Sequence, residues 1–353
     1  MKKHLLGLAL GAILTSGAVN ATNNENTQNP VAGEAIIQEI KNLEKDFGVK
    51  FNHQHSTLEQ GVFTISNITL EAPEPNVPKI NIEKIEMSEN MLDTETNLIP
   101  EEAFLNVHNM KVPTESLAPM AMMMGITLPN ELNISMGFDG GISNTTKKMT
   151  SNAHVVVDNF AGLEVKTLIS GVANTVPDNV WNVLNDENAS DEAIQAAIMG
   201  YAATMAYEKI QFKLSNFGIV DMLIDLDLNK QNRKAERLAK RQQKPFLPLN
   251  KDQWYAEKLG LFDSQKDMMK AIAGLNDLEI ENIRDLLVNP KDVEIEITAK
   301  KPLYLMQMMM LQKSDPTEVM NLVDLKFIAN GKVIIDTSSE RGAEILQNLK
   351  KMK

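Results

Sequence analysis

The sequence predicts an α+β protein: a curved antiparallel β-sheet with bulged strands, packed with a helical segment. Three observations predict it. A strand-like pattern with a one-residue slip recurs through the first half. Alternating runs and a sharp Asn-Gly hairpin signal bound other strands. From Ala189 onward the apolar spacing changes to a helical one.

The chain opens with Lys2 and Lys3, then the apolar stretch "LLGLALGAILTSGAV", then Val19-Asn20-Ala21. A short basic start, a short apolar core and small residues at the end read as an export signal cut after Ala21. Residues 1–21 are therefore expected to be a signal peptide, with an uncleaved anchor as the competing reading, and the expected location is a bacterial periplasm. The polar run "TNNENTQNP" fits a disordered tether over 22–33. A β-rich part with an N-terminal helix is expected over 34–188. An α+β part over 189–353 is expected to pack on the same sheet. Ile36, Ile37, Ile40, Leu43 and Phe47 lie at helical spacing, and Gly48 suits the helix end.

The recurring pattern is apolar-x-apolar-x-x-apolar-x-apolar. It occurs at "FTISNITL" (63–70), "INIEKIEM" (80–87), "LNVHNMKV" (105–112) and "FKLSNFGI" (212–219), with a degraded copy from Val156. A regular strand would send the second apolar pair to the opposite face. One extra residue absorbed at the x-x step returns both pairs to one face and bends the strand. Asn67, Asn109 and Asn216 occupy the second x, and Asn tolerates the left-handed backbone such a step can require. A two-residue turn is the competing reading.

Further along, hairpin signals recur, and "GFDGGIS", "AHVVVDNF" and "GLEVKTLISG" read as antiparallel strands. "ASDEAIQAAIMGYAATMAYEKI" reads as a helix that starts at Ser190 and Asp191. The segment from Val220 to Lys244 begins ambiguously and ends helical. A helical block follows over 264–287, in two pieces around Gly274. "VEIEIT" is a strand, Pro302 and Pro316 suit first turns of helices, and "LKFIANGKVIID" is a hairpin turning at Asn330-Gly331. A last helix follows Ser339.

In this order, "LSNFGIVDMLI", a basic helix, "LLVNP", "VEIEITAKKP" and "SDPTEVMNLVDLKFIANGKV" resemble the C-terminal half of a group of proteobacterial periplasmic proteins. The slipped strands of the first half are similar to those of YdgA-type and AsmA-like envelope proteins. The resemblance spans about residues 60–335. It implies an envelope location and a β-rich, groove-like fold. It implies no activity and no site residues.

Composition narrows function. The chain has no cysteine, which excludes disulfides, thiol nucleophiles and thiolate metal sites. Its net charge of −12 argues against nucleic acid as a partner. It carries no nucleotide-binding loop, zinc-protease or serine-hydrolase motif. The expectation is a non-enzymatic protein without a cofactor. His53 and His55 are two apart, a spacing that suits either a metal pair or a solvated edge strand.

Two methionine clusters and one basic stripe are the candidate sites. The clusters are Met120, Met122, Met123 and Met124, and Met306, Met308, Met309 and Met310. Thioethers can fill a core, form an adaptable apolar surface, or bind Cu(I). The stripe is Lys230, Lys234, Arg237, Arg241 and Lys244, at three- and four-residue steps. It suits an anionic surface, or a solvated helix face balancing an acidic remainder. The expected function is to bind lipid or another amphiphile in an apolar groove, at or near a membrane. The alternative is an interaction scaffold for another envelope protein, with no small-molecule ligand.

Overall fold

The computed structural model describes residues 49–74, 77–89, 99–115, 118–124, 128–172, 175–184, 186, 189–216, 218–304, 307, 319 and 321–350. The expected signal, tether and first helix lie outside the described residues, as do Pro316, Met306, Met308, Met309 and Met310.

The strands are β1 (Lys50–Asn52), β2 (His55–Glu59), β3 (Val62–Glu71), β4 (Ile80–Ser88), β5 (Ala103–Pro113), β6 (Glu131–Ile142), β7 (Lys148–Val157), β8 (Ala161–Ser170), β9 (Ala206–Asn216), β10 (Asp292–Tyr304), β11 (Val323–Ala329) and β12 (Lys332–Asp336). They form one antiparallel sheet. From β3 onward each strand pairs with the next in sequence, while β1 and β2 both pair with β3. Pairing of β8 with β9 carries the sheet across residue 189 without a break.

The helices sit in the connections. Helix α1 (Ala118–Met124) joins β5 to β6. Helices α2 (Asp178–Leu184) and α3 (Asp191–Ala202) lie between β8 and β9. Helices α4 (Ile219–Gln242), α5 (Lys251–Ser264) and α6 (Asp277–Val288) lie between β9 and β10, and α7 (Glu340–Lys350) follows β12. Ser190 caps α3, its hydroxyl accepting from the Ala193 amide at 3.2 Å. Asn330 and Gly331 both take positive φ, 51° and 73°, which the tight turn between β11 and β12 requires.

The slipped pattern has a clear outcome in three strands. In β3, Phe63, Ile65, Ile68 and Leu70 are all buried although their parity changes midway. Asn67 lies between the pairs with φ 55°, and Asn109 holds the same place in β5 with φ 50°. Ser66 faces Lys84, and Lys84 faces His108, so the steps of β3, β4 and β5 lie side by side. The register among the three strands stays constant across this level. At this level the register shifts where β5 meets β6, between Val107 and Met110. On the other side, β1 and β2 straddle the same level, interrupted at His53 and Gln54. Polar groups link this line: Asn67 donates to Gln54 Oε1 at 2.9 Å, Asn109 Nδ2 donates to the Glu83 carboxylate, and the Asn109 amide donates to Ser135 Oγ at 3.1 Å.

Four expectations are corrected. The copy at 212–219 is the end of β9 followed by the start of α4. Its Asn216 side chain accepts from the Gly218 and Val220 amides at 3.1 and 3.2 Å, so it holds the turn into α4. The degraded copy from Val156 is the β7–β8 turn. Pro302 lies inside β10, where the register against β9 shifts between Thr298 and Leu303. A missing amide is tolerated where ladder bonding lapses. The helix from 189 ends at Ala202, because "AYEKIQFKLSN" is claimed by pairing with both β8 and β10.

"GFDGG" runs within β6, as a strand reading of "GFDGGIS" expects. A Cβ on Gly141 would stand 1.9 Å from the Glu101 carbonyl oxygen. Gly141→Ala is therefore expected to cost about 3 kcal/mol or more, since backbone cannot step aside as a side chain can. Urea unfolding of the variant checks this.

Candidate functional site

The sheet has two unlike faces. One carries ion pairs: Glu86 with Lys84 and His108, both at 2.9 Å, Glu164 with Lys166 at 3.0 Å, and Lys209 with Glu296 at 2.8 Å. The other is apolar along its length. Directly opposed residues give the row Leu58, Phe63, Met87, Leu105, Phe138, Ala153, Val165, Phe212, Ile295, Phe327 and Ile335, from β2 to β12. A neighbouring row runs Ile65, Ile85, Val107, Met136, Val155, Leu163, Leu214, Val293 and Ala329. Antiparallel sheets commonly divide this way, with the apolar face covered.

Here the cover is uneven. Phe63, Ile65 and Val107 are buried in a core of β3–β5 that also takes in Ile134 and Met136 of β6, and Leu105 is buried as well. From β6 to β10 the same rows come to the surface. Phe138, Val155, Leu163, Phe212, Leu214 and Ile295 are 37–47% exposed. On β9, Phe212 and Leu214 are more exposed than Lys213 between them. A contiguous apolar surface of this kind marks a binding face more often than a plain exterior. The sequence reading missed these six residues. Their signal was present as the alternation of β7 to β10, which does not tell a covered face from an open one.

The second feature is built by α4. Its first half is acidic and is tied to α5. Lys251 meets Asp221 at 3.0 Å and Asp225 at 3.3 Å. Asp227 accepts from Trp254 Nε1 at 2.8 Å and Gln231 at 2.7 Å. Asn232 clamps the Leu249 amide and carbonyl at 2.7 and 2.9 Å. A capping box of Asn250 and Gln253 starts α5. Ile224 and Leu228 are the buried residues of α4, so residues 219–229 are helix, not strand. The second half is exposed and basic. It ends at Gln243 in the left-handed conformation, with Lys240 and Arg241 at the favourable end of the helix dipole.

An open groove of about 650 Å³ runs along this basic half. It is lined by Lys230, Arg233, Lys234, Arg237 and Arg241, with Leu226, Asn229, Leu238 and, from α1, Met123. The structure thus joins four residues of the expected stripe with one expected methionine. Lys244 lies beyond the helix end and does not line the groove. Arg233 was missed, though its three-residue step from Lys230 was visible. Met122 and Met123 are 74% and 76% exposed, so they are not core filler. Met120 and Met124 are backbone members of α1. His53 and His55 fall on either side of the break at Gln54, and His53 packs near Phe51 with ring centroids 5.6 Å apart. Among the described residues, no group of three or more His, Asp or Glu is arranged to hold a metal ion. Nor, among them, is any helix long and apolar enough to cross a membrane.

Several carboxylates are held below their ordinary range. The Lys84 ammonium lowers Glu86, with His108 adding to it. Lys148 lowers Glu208, its partner at 2.6 Å. The Trp254 N–H lowers Asp227, with Gln231 adding to it. A carboxyl with a depressed folded value contributes stability above its unfolded value and loses it as pH falls through the folded one. Urea midpoints are therefore expected to fall from the ordinary Glu value of 4.5 downward. Glu208→Gln should flatten part of that slope, which midpoints measured between pH 7 and pH 3 would reveal.

No family model matches the chain, and no curated protein is similar enough to it to count as a relative. The class of protein is thus defined by the fold itself: an open antiparallel meander with one apolar and one charged face.

Proposed function

We propose that the protein is a non-enzymatic, exported envelope protein that holds the acyl chain of a lipid or similar amphiphile against the apolar face of its sheet. The single observation that carries the reading is the passage of two apolar rows from a buried core into half-exposed Phe138, Val155, Leu163, Phe212, Leu214 and Ile295. A linear hydrocarbon suits such rows, because it needs continuous apolar contact and no polar partner. Burial of each of its methylenes is worth about 0.8 kcal/mol. The strand steps at Asn67 and Asn109 fit this reading as bulges that bend the sheet around its apolar side. The YdgA-type and AsmA-like resemblance points the same way, and the export-type N-terminus supplies the compartment.

Native mass spectrometry of protein purified from the periplasm tests the proposal. The expected result is a second mass series offset by one lipid, removed by mild organic extraction. A bare mass together with a co-purifying envelope protein would favour the scaffold reading instead.

A further inference from the structure

We propose that the basic half of α4, with the loop that follows it and the adjoining tip of α1, is a docking surface for an anionic lipid bilayer. This surface belongs to a helical hairpin, not to the sheet, so it stands or falls apart from the proposed acyl-chain face.

Charge complementarity is the first argument. In a chain of net charge −12, five cations line one groove: Lys230, Arg233, Lys234, Arg237 and Arg241. Asp221 and Asp225, at the other end of the helix, are held by Lys251. None of the five cations makes a side-chain ion pair among the described residues, whereas neighbouring Lys240 is paired with Glu236 at 2.8 Å. The row from Lys230 to Arg241 extends over roughly 17 Å of helix axis at 1.5 Å per residue. It can meet several headgroups at once.

The apolar groups are the second argument, and they select a bilayer over a soluble anion. Met123 sits in the groove beside the cations and is 76% exposed. Leu238 lies on the same groove and is 47% exposed. The loop after α4 reads Lys244-Pro245-Phe246-Leu247-Pro248, and Leu247 is 87% exposed. Exposed Met and Leu among cations have no use for a free phosphate. They match an interface where headgroups overlie acyl chains, which is how surface-lying amphipathic helices bind.

The hairpin is built to present this surface firmly. Helix α4 is fixed to α5 through Asp227–Trp254 and to the segment just before α5 through Asn232–Leu249. Two prolines flank Phe246 and Leu247 and restrict the loop. Docking therefore needs little ordering of the chain.

The test is sedimentation of the full chain with phosphatidylglycerol/phosphatidylcholine vesicles and with pure phosphatidylcholine vesicles. All variants keep the same N-terminus, so differences between them report on the hairpin. The parent is expected to partition at least about tenfold better onto anionic vesicles, and to lose that preference in high salt. Lys234→Glu with Arg237→Glu should abolish the preference while circular dichroism stays unchanged. Met123→Ser with Leu247→Ser should lower binding about tenfold or more while the salt dependence remains, the scale of two apolar side chains leaving an apolar contact. Equal partitioning of the parent onto both vesicles would overturn the proposal, and so would a charge-reversed variant that binds as the parent does. Preference for soluble polyglutamate with no vesicle binding would assign the stripe to an acidic protein. Salt-sensitive self-association that the charge reversal removes would assign it to a second copy of the chain. Either outcome overturns the proposal and leaves the acyl-chain reading untouched.

Discussion

Deleting Asn67 is expected to destabilise the protein by about 3–6 kcal/mol, the scale of exposing two large buried side chains. Phe63 and Ile65 precede it, Ile68 and Leu70 follow it, and all four are buried, with Asn67 at φ 55° between them. Without that residue, one arm of β3 must turn its apolar pair to the charged face. The effect spreads, because the steps in β4 and β5 are aligned with it through Ser66, Lys84 and His108. Relaxing one strand breaks the register with both neighbours. Asn67→Gly keeps the count of residues and accepts positive φ, so it should cost only a few tenths of a kcal/mol to about 1 kcal/mol, mainly in chain entropy. Urea unfolding separates the two. An unchanged midpoint in the deletion would reject the bulge reading.

The pair Leu163→Glu and Phe212→Glu is expected to weaken amphiphile binding by at least about 100-fold, with little loss of stability. Both residues already face water, at 47% and 40% exposure, so the folded state accepts the carboxylates. An acyl chain seated on the rows would have to strip water from them, and a buried unpaired carboxylate is among the most expensive groups to desolvate. Leu163 opposes Leu214, and Phe212 opposes Val165 and Ile295, so the two charges interrupt both rows. Glu164→Gln serves as the control. It lies on the charged face with Lys166 at 3.0 Å, and should bind as the parent does. Displacement of a fluorescent fatty acid provides the measurement. Equal affinity in the double variant would remove the sheet face from consideration.

Much of the fold is legible in the sequence, for reasons that are local. The hairpin at Asn330-Gly331 is set by two residues that tolerate positive φ. The start of α3 is set by a hydroxyl one residue before it. The steps at Asn67 and Asn109 are visible as a change of parity beside an Asn. The same eight-residue pattern at 212–219 has another outcome, because Asn216 meets free amides of α4 and not a strand partner. Within the eight residues Gly218 sets this copy apart, taking φ 147° just before α4 where the other copies carry Thr69, Glu86 and Lys111. "GFDGG" reads as strand and is strand, yet why it holds so many glycines is not local. Its glycines are needed where Glu101 passes close to Gly141, a contact from a distant part of the chain.

The candidate sites divide along the same line. The basic stripe of α4 can be read from spacing, because three- and four-residue steps share a helix face. That Met123 lies against it cannot be read so, since α1 and α4 are far apart in sequence and only the folded chain brings them to one groove. By itself the sequence determined the period of most strands and helices, the change of parity beside Asn67 and Asn109 and the charge of one helix, all consequences of backbone geometry over a few residues. Only the tertiary structure decided that eleven strands align their apolar residues into one row, and that the row is covered over β3–β5 and open over β6–β10. The physical reason is that burial belongs to pairs of surfaces. A side chain's own neighbours in sequence say which face it is on, and never what stands opposite that face.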